Sequence, residues 1–350
     1  MREIAIVSFA QAPNLRRVSG KNEVEMLSPV AREAVQRSGI PKEEIGFTCS
    51  GSSDYLAGQP FSFVTALDAI GPWPPIRESH VEMDGAWALY EAWVRLQHGD
   101  IDSALVYAFG KSSPSDVRQV LALQLDPYYV APLWPGAVDI AALQARALLE
   151  ATDFTERDFA NVAARSRARA KANPNAQVAG DFDIDALLEE DYFVSPLRKH
   201  DCPPITDGAV AIVLAADDLA RDVCERPAWI RGIDHRIEAH ALGVRDLTTS
   251  PSAALAAQKA GVNGQIEIAE LHAPFTHQEL ILKQALGLGD SVSINPSGGA
   301  LAANPIMAAG LMRFGEAAQR LIDGEATHAL AHATSGPCLQ QNLVCVMEAT

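Results

Sequence analysis

The sequence lacks closely spaced cysteines. Its five cysteines are scattered over 350 residues, and no two of them form a CxxC pair. An odd number of isolated cysteines argues against a disulfide scaffold and against a zinc site of the usual spacing, so we expect reduced thiols. They stand at Cys49, Cys202, Cys224, Cys338 and Cys345.

Long apolar runs and an excess of basic residues are also lacking. No stretch approaches the roughly 18 apolar residues of a membrane span, and the opening residues MREIAIVSFAQAP indicate a first β-strand rather than a signal peptide. Lys and Arg number 28 against 44 Asp and Glu, and the net charge of -16 repels phosphate backbones and anionic lipids. We therefore expect a cytoplasmic protein that binds no nucleic acid and has no membrane span.

Common nucleotide and metal motifs are missing too. The chain contains neither GxxxxGK[ST] nor GxGxxG, which argues against the nucleotide sites of those two classes. His272 and His277 are five residues apart and do not form the HExxH pair of a zinc enzyme. We predict no metal site.

What the chain does contain is a repeated pattern of apolar strands and amphipathic helices. Runs rich in Val, Ile and Ala, separated by stretches of helical period, are typical of βα units around a buried sheet. The predicted strands are 4–9, 45–49, 103–109, 209–215, 229–234, 266–271, 328–333 and 343–347. The predicted helices include 31–37, 85–97, 140–150, 159–172 and 300–321.

The first four strands resemble the last four. In each set, a strand that ends in a loop (EEIGFTCSG, then IEIAELHAP) is followed at a similar distance by one that ends in small residues (DSALVYAFG, then THALAHATSG). This predicts a duplicated α/β fold with halves at 1–220 and 221–350. A segment with several prolines at 111–204 is interpreted as an inserted helical subdomain that shapes a ligand pocket.

Two loops carry candidate catalytic groups. His272 follows the strand at 266–271, where α/β folds bind ligands, and an imidazole can act there as a base. The alternative is a loop histidine with a structural hydrogen bond. Ser297, Gly298 and Gly299 precede the predicted long helix, so their N–H groups can stabilise an oxyanion, and the alternative is a flexible turn.

Further candidates are a thiol and several cations. Cys338 follows the strand that contains His332 and is a candidate nucleophile, although an isolated cysteine is more often inert. His332 and Arg198 are candidates for substrate binding. Four cations of this acidic chain can either bind the phosphates of an anionic cofactor or form a solvated helix face. They are Arg165, Arg167, Arg169 and Lys171.

Three segments together resemble the thiolase superfamily, and most closely its sterol-carrier-protein-x type. They are SPLRKHDCPPITDGAVAIVLA (195–215), ELHAPFTHQEL (270–280) and NPSGGALAANP (295–305), and the resemblance extends from about Arg2 to Glu348. It implies the duplicated five-layer αβαβα thiolase fold and a coenzyme A thioester as substrate, with no tightly bound cofactor. It also implies homodimers or hetero-oligomers of thiolase-like chains.

The chain departs from the family at the nucleophile. Placing residues 82–89 on the family's CxxGxxAL motif puts Glu82 at the position of the nucleophilic cysteine. A carboxylate cannot form the acyl-thioester intermediate of thiolysis. Alternatively, Ser79 and Glu82 have the spacing of a helix capping box.

The other catalytic positions are partly kept. The family's first histidine falls on His272 and its second on Asn304, which can donate a hydrogen bond but cannot exchange protons near pH 7. The family's late cysteine or glycine position falls near Ser335, three residues before Cys338.

These residues support three hypotheses. The first is a lyase that cleaves a β-hydroxyacyl-CoA by a retro-aldol reaction in lipid or steroid side-chain breakdown, with His272 as the base. The second is a non-catalytic acyl-CoA-binding partner subunit, and the third is an acyltransferase of thiolase type with Cys338 as a relocated nucleophile. Some thiolase-like lyases use tyrosines where this chain has His272 and, approximately, Asn304. They work with a small OB-fold protein, which makes such a protein a candidate partner.

Overall fold

The computed structural model describes residues 2–349, and within that range it has twelve strands and twelve α-helices. The strands are β1 Ile4–Gln11, β2 Phe47–Gly51, β3 Glu78–Val81, β4 Ser103–Gly110, β5 Tyr192–Val194, β6 Leu197–Arg198, β7 Gly208–Ala216, β8 Ala228–Ile237, β9 Ile268–Leu271, β10 Ser293–Ile294, β11 His328–Ser335 and β12 Gln341–Glu348. The helices are α1 Glu23–Ser38, α2 Asp54–Ala57, α3 Ser62–Ile70, α4 Gly85–Gln97, α5 Val117–Leu123, α6 Ala137–Ala151, α7 Glu156–Arg169, α8 Ile184–Glu189, α9 Asp217–Val223, α10 Pro251–Ala260, α11 Thr276–Ala285 and α12 Ala309–Ile322.

Ten strands form one mixed sheet whose two halves have the same order. The order is β3-β2-β4-β7-β1 in one half and β10-β9-β11-β12-β8 in the other, joined by antiparallel pairing of β1 with β8. In each half the first three strands are parallel and the last two are antiparallel to their neighbours. The duplicated α/β fold predicted from the sequence is confirmed, although each half adds an antiparallel pair to its parallel strands.

The helices form layers on both sides of this sheet. The apolar side chains of α4 and α12 pack between the two halves in one buried cluster. A second cluster joins α1 and α3 to the first half, and a third joins α10 and α11 to the second half. Each half of the sheet is therefore covered on both faces, which explains why its strands are nearly continuous apolar runs.

Capping residues in the sequence determine where some of the helices begin and end. Asn22 caps α1 through a reciprocal capping box with Glu25, and Gly39 ends the helix with a left-handed φ of 69°. The helix predicted at 300–321 begins only at residue 309. Residues 300–308 form turns instead, because Met307 has a φ of 78° and the backbone of Asn304 pairs with Ile205.

The two central helices start unusually close together. A Cβ atom added to Gly85 would lie 2.8 Å from Cδ2 of Leu311, and one added to Gly310 would lie 2.4 Å from Oδ1 of Asp84. Only glycine permits this approach at both positions. The first turns of α4 and α12 consequently meet beneath the cavity described below.

The segment between β4 and β7 contains α5 to α8 and the β5–β6 hairpin. Among residues 2–349, no helix is long and apolar enough to cross a membrane.

Candidate functional site

An inner cavity of about 660 Å³ lies where β9 and β11 end and where α4 begins. The helices α5 and α6 of the inserted segment contribute its outer walls, which are mainly apolar. The site candidates that line it are His272, Asn304, Ser335 and Cys338. The structure thus brings together four predicted residues from three separate segments.

The central polar feature of the inner cavity is a hydrogen-bonded pair. Nε2 of His272 lies 3.1 Å from Oδ1 of Asn304, and the backbone N–H of Thr334 is directed at Nδ1 of His272 at 3.5 Å. Because an N–H group faces Nδ1, the proton of the neutral ring belongs on Nε2, which donates to Asn304. The amide NH₂ group of Asn304 then remains available to the cavity.

The protonation of His272 differs from the expectation for a base that titrates near pH 7. Burial lowers the pKa of His272 to about 4, and the hydrogen bond to Asn304, which raises the pKa, offsets only part of this shift. The ring is therefore neutral at pH 7, and its unprotonated nitrogen is directed at Thr334. The contacts of His272 therefore favour an orienting interaction with Asn304 over the predicted role as a base.

Asn304 is held by its own backbone as well as by His272. It forms an isolated parallel bridge with Ile205, and its carbonyl accepts a hydrogen bond of 3.4 Å from the N–H of Thr206. The segment that carries Asn304 is thereby fixed to the start of β7. Its side chain faces the inner cavity from a backbone that is hydrogen-bonded to the opposite strand segment.

Glu82 does not occupy the place of a nucleophile. Its side chain is 47% exposed, its Oε1 accepts a hydrogen bond of 2.7 Å from the N–H of Asp54, and its Oε2 lies 3.4 Å from His80. It does not line the inner cavity. The predicted catalytic position is thus corrected, because Glu82 is directed toward α2 and the edge strand β3.

Asp84, two residues further on, lines the inner cavity in its place. Its carboxylate accepts hydrogen bonds of 2.9, 2.9 and 3.0 Å from the N–H groups of Ala86, Gly310 and Leu311. One side chain therefore satisfies the first turns of both central helices. An aspartate directly before a helix is a sequence pattern typical of an N-cap, so the contact of Asp84 with α4 could be predicted locally. Its contact with α12 could not, because no nearby residue indicates it.

Ser297, Gly298 and Gly299 lie beneath the site and do not line the cavity. Their N–H groups donate to Oε1 of Glu270, the carbonyl of Asn295 and Oγ of Ser297, respectively. The predicted oxyanion site is corrected accordingly, because none of these three donors is free for a substrate.

His332 and Arg198 also have structural partners. His332 is fully buried in β11, and its Nε2 lies 2.9 Å from Oδ1 of Asn342. Arg198 donates to the carbonyl of Glu190 and forms an ion pair of 2.5 Å with Glu156. Neither lines a cavity described here, so both predictions of substrate contact are corrected.

Cys338 lines the inner cavity but has the properties of a structural thiol. Burial raises its pKa to about 12, and Sγ lies 3.7 Å from the carbonyl oxygen of Ile140. It packs against Leu125 and Ile140. A thiol with this pKa supplies almost no thiolate at neutral pH.

Replacing Cys338 with alanine is expected to leave more than half of any turnover, because the thiol is not ionised. Initial rates with a CoA thioester, measured together with mass spectrometry for a trapped acyl group, test this. An acyl group recovered on Cys338 would establish the relocated nucleophile instead.

A wider outer cavity of about 1450 Å³ adjoins the inner one, with Cys202, Pro203 and Ile205 lining both. Four cations line the outer cavity, namely Arg16, Arg17, Arg167 and Lys199. Because only two carboxylates, those of Asp116 and Glu190, line the same cavity, its lining is net positive in a chain of net charge -16. Arg16 and Arg17 had no sequence signal, because they lie far along the chain from Lys199.

All four members of the predicted cationic cluster have protein partners, and Arg167 donates to the carbonyl of His200 at 3.3 Å. Arg165 pairs with the buried Glu279, Arg169 donates to the carbonyl of Ile294, and Lys171 forms an exposed ion pair of 2.6 Å with Asp181. Arg167 alone of the four lines the outer cavity. In residues 2–349 no group of three or more His, Cys, Asp or Glu side chains is arranged to hold a metal ion.

Sequence comparison finds relatives named as an acetyl-CoA acetyltransferase, a sterol carrier protein and a carboxyl-CoA lyase. No family model matches the chain. It is 24% identical to the acetyl-CoA acetyltransferase of Methanothermobacter thermautotrophicus over 93% of this chain and 94% of that protein. It is 23% identical to sterol carrier protein 2 of Bos taurus over 90% of this chain and 66% of that protein. A shorter match, 38% identical over 25% of this chain and 23% of the relative, is to 17-hydroxy-3-oxo-4-pregnene-20-carboxyl-CoA lyase of Mycobacterium tuberculosis.

Solved structures share the whole fold. The Ltp2-ChsH2(DUF35) aldolase superimposes with a TM-score of 0.81 at 19% identity, over 99% of this chain and 98% of that one. Human mitochondrial 3-ketoacyl-CoA thiolase superimposes with a TM-score of 0.79 at 15% identity, over 100% of this chain and 99% of that one. The predicted thiolase fold is confirmed.

Proposed function

We propose that the chain, which is similar to an acetyl-CoA acetyltransferase and to sterol carrier protein 2 and shares the fold of a thiolase, binds a CoA thioester and cleaves a β-hydroxyacyl group by a retro-aldol reaction. The observation that carries this proposal is the His272–Asn304 pair, which offers an amide donor inside an apolar cavity. Glu82, which the sequence resemblance aligns with the family's nucleophilic cysteine, is directed away from that cavity. These features favour chemistry through an enolate over thiolysis.

The two adjoining cavities suggest how CoA is divided between them. Arg16, Arg17, Arg167 and Lys199 of the outer cavity supply positive charge for the phosphates. The shared wall then leads the pantetheine arm toward Asn304 in the inner cavity. The apolar inner walls receive the acyl group, for which we propose a lipid or a steroid side chain, with support from the local match to the pregnene-carboxyl-CoA lyase.

In the proposed reaction, the thioester carbonyl accepts a hydrogen bond from the NH₂ group of Asn304. The β-hydroxyl group transfers its proton to solvent water, the bond between Cα and Cβ breaks, and its electron pair forms the enolate of the shortened acyl-CoA. A ketone or aldehyde leaves, and a proton added to Cα completes the reaction. No free CoA is consumed, and His272 acts by fixing the direction of the Asn304 amide.

A non-catalytic binding subunit is the second candidate. It is favoured by the unprotonated Nδ1 of His272, which is directed at the N–H of Thr334 and not at the cavity. Such a chain would bind the CoA thioester beside a second thiolase-like chain or an OB-fold partner, as the two-component name of the Ltp2-ChsH2(DUF35) aldolase suggests. Turnover by the isolated chain separates the two candidates.

Replacing Asn304 with alanine is expected to lower kcat by about 10²- to 10³-fold, the usual effect of removing one oxyanion donor. Affinity for CoA alone should not change, because the cations of the outer cavity are untouched. The measurement is mass spectrometry of products from a β-hydroxyacyl-CoA in the absence of free CoA.

The matched control is Asn263→Ala, which removes an exposed asparagine whose side chain bonds only to the neighbouring Gln265. It should retain wild-type turnover. Binding without cleavage by the isolated wild-type chain would favour the subunit role, and cleavage that strictly requires free CoA would restore thiolysis.

A further inference from the structure

The loop at residues 335–340 forms one wall of the inner cavity in an unfavourable backbone conformation. Residues 335–339 line the cavity. Cys338 and Leu339 have φ values of 53° and 58°, and Gly336 has a φ of 75°. L-amino acids with a side chain rarely adopt such values, so two consecutive ones require support from neighbouring groups.

That support comes from a buried guanidinium group. Arg245, whose side chain is 3% exposed, donates from Nη1 to the carbonyl of Pro337 at 3.0 Å and from Nη2 to that of Cys338 at 2.5 Å. Both carbonyls belong to the loop. Arg245 therefore ties the two peptide groups around the left-handed residue Cys338.

Glu238 holds Arg245 and the far end of the same loop. Its Oε2 lies 3.3 Å from Nε of Arg245, and its Oε1 accepts hydrogen bonds from the N–H and hydroxyl groups of Ser252. Its backbone N–H donates to the carbonyl of Gln340 at 2.9 Å, while the Gln340 amide donates back to the Glu238 carbonyl at 3.3 Å. The pair is thus anchored on β8 and α10.

Neither Arg245 nor Glu238 lines the inner cavity. Their effect reaches it only through the loop, where Cys338 packs on Leu125 and Ile140 of the opposite wall. We propose that Arg245 and Glu238 are positioning residues of the acyl site. They hold loop 335–340 in the shape that binds the acyl group, and they leave the binding of the CoA nucleotide unaffected.

The first test measures the loop without any ligand. Arg245→Met should raise the rate at which iodoacetamide alkylates Cys338 by about tenfold or more, because the released loop exposes the thiol. Cys345, buried in β12, reports global unfolding in the same peptide digest. The matched control is Arg226→Met, which removes a guanidinium group that also binds backbone carbonyls, those of Leu321, Ala326 and Ala349, away from the cavity.

If Cys345 is alkylated faster as well, Arg245→Lys decides, since one ammonium group keeps the charge but cannot reproduce the planar fork between two carbonyls. It should raise the Cys338 rate with Cys345 still protected. Unchanged alkylation of Cys338 in the folded Arg245 variants would overturn the proposal.

The second test concerns ligand selectivity and depends on the proposed function. Titration calorimetry measures the affinities for CoA and for octyl-CoA, a stable thioether. In Arg245→Met the ratio of the Kd for CoA to the Kd for octyl-CoA should fall about tenfold, while the Kd for CoA itself stays unchanged. In Glu238→Gln the ratio should fall less, and in Arg226→Met it should not change. A folded Arg245 variant with the wild-type preference would contradict the effect on the acyl site. Failure of the wild type to bind either compound would contradict the proposed function, while the alkylation rates would still decide whether Arg245 holds the loop.

Discussion

Replacing Arg313 with methionine is expected to lower the free energy of unfolding by about 3–5 kcal/mol. Arg313 of α12 is 3% exposed and lies 2.7 Å from Oε2 of Glu270, which is fully buried in β9. The same guanidinium group donates to Oγ of Ser297. Without it, the nearest cation left to the Glu270 carboxylate is Arg320, whose Nε lies 4.0 Å from Oε1, and denaturant unfolding measures the loss.

A matched exposed pair provides the control for Arg313. Arg157→Met removes the ion pair with Asp185, whose side chains are 55% and 73% exposed, and stability should stay within about 0.5 kcal/mol of wild type. Adding Glu270→Gln to Arg313→Met should recover part of the loss, because the unpaired buried charge is removed. If Arg313→Met and Arg157→Met lowered the free energy of unfolding equally, the buried ion pair would contribute no more to stability than the exposed one.

Acidification from pH 7 to pH 5 is expected to remove about 2 kcal/mol of stability through His332 alone. Burial lowers the pKa of His332 to about 3, while in the unfolded chain it is near the ordinary value of about 6.5. Between these two values the unfolded state binds the additional proton, so stability falls as the pH falls. Burial likewise lowers the pKa of His277 to about 3 and that of His272 to about 4, and each adds a loss of the same sign.

The contribution of His332 is isolated by comparing the wild type with His332→Gln. Glutamine can still donate a hydrogen bond to Asn342 but does not titrate. The stability of the wild type relative to the variant should therefore decrease by about 2 kcal/mol between pH 7 and pH 5. A difference that does not depend on pH would mean that His332 is protonated to the same extent in both states.

The elements of the fold could be predicted from the sequence because burial on both faces leaves long apolar runs. The runs around 209–215 and 328–333 correspond to β7 and β11, and the similarity of the two sets of strands reflects the equal strand order of the two halves. The helix predicted from residue 300 was too long by about two turns. Its start is set by tertiary pairing between Asn304 and Ile205, which no local pattern records.

The candidate site was predictable only where a residue follows a strand directly. His272 and Ser335 reach the cavity because β9 and β11 end beside each other. Glu82 and Asp84 were harder to distinguish, since both stand just before α4. The N–H groups that bind Asp84 at the start of α12 lie more than 200 residues away along the chain.

The strand order also constrains how the protein is made. The strand between β4 and β1 is β7, and the one between β11 and β8 is β12, so the inner strand of each half is synthesised last. Residue 4 of β1 pairs with residue 216 of β7, so this pairing cannot form until the inserted segment has left the ribosome. In the second half, the pairing of β12 with β8 is complete only after residue 348 has been synthesised. Long-range pairing of this kind slows folding and leaves unpaired edges exposed meanwhile. A nascent chain stopped before residue 341 would lack the inner strand of its second half and become a substrate for chaperones or proteases.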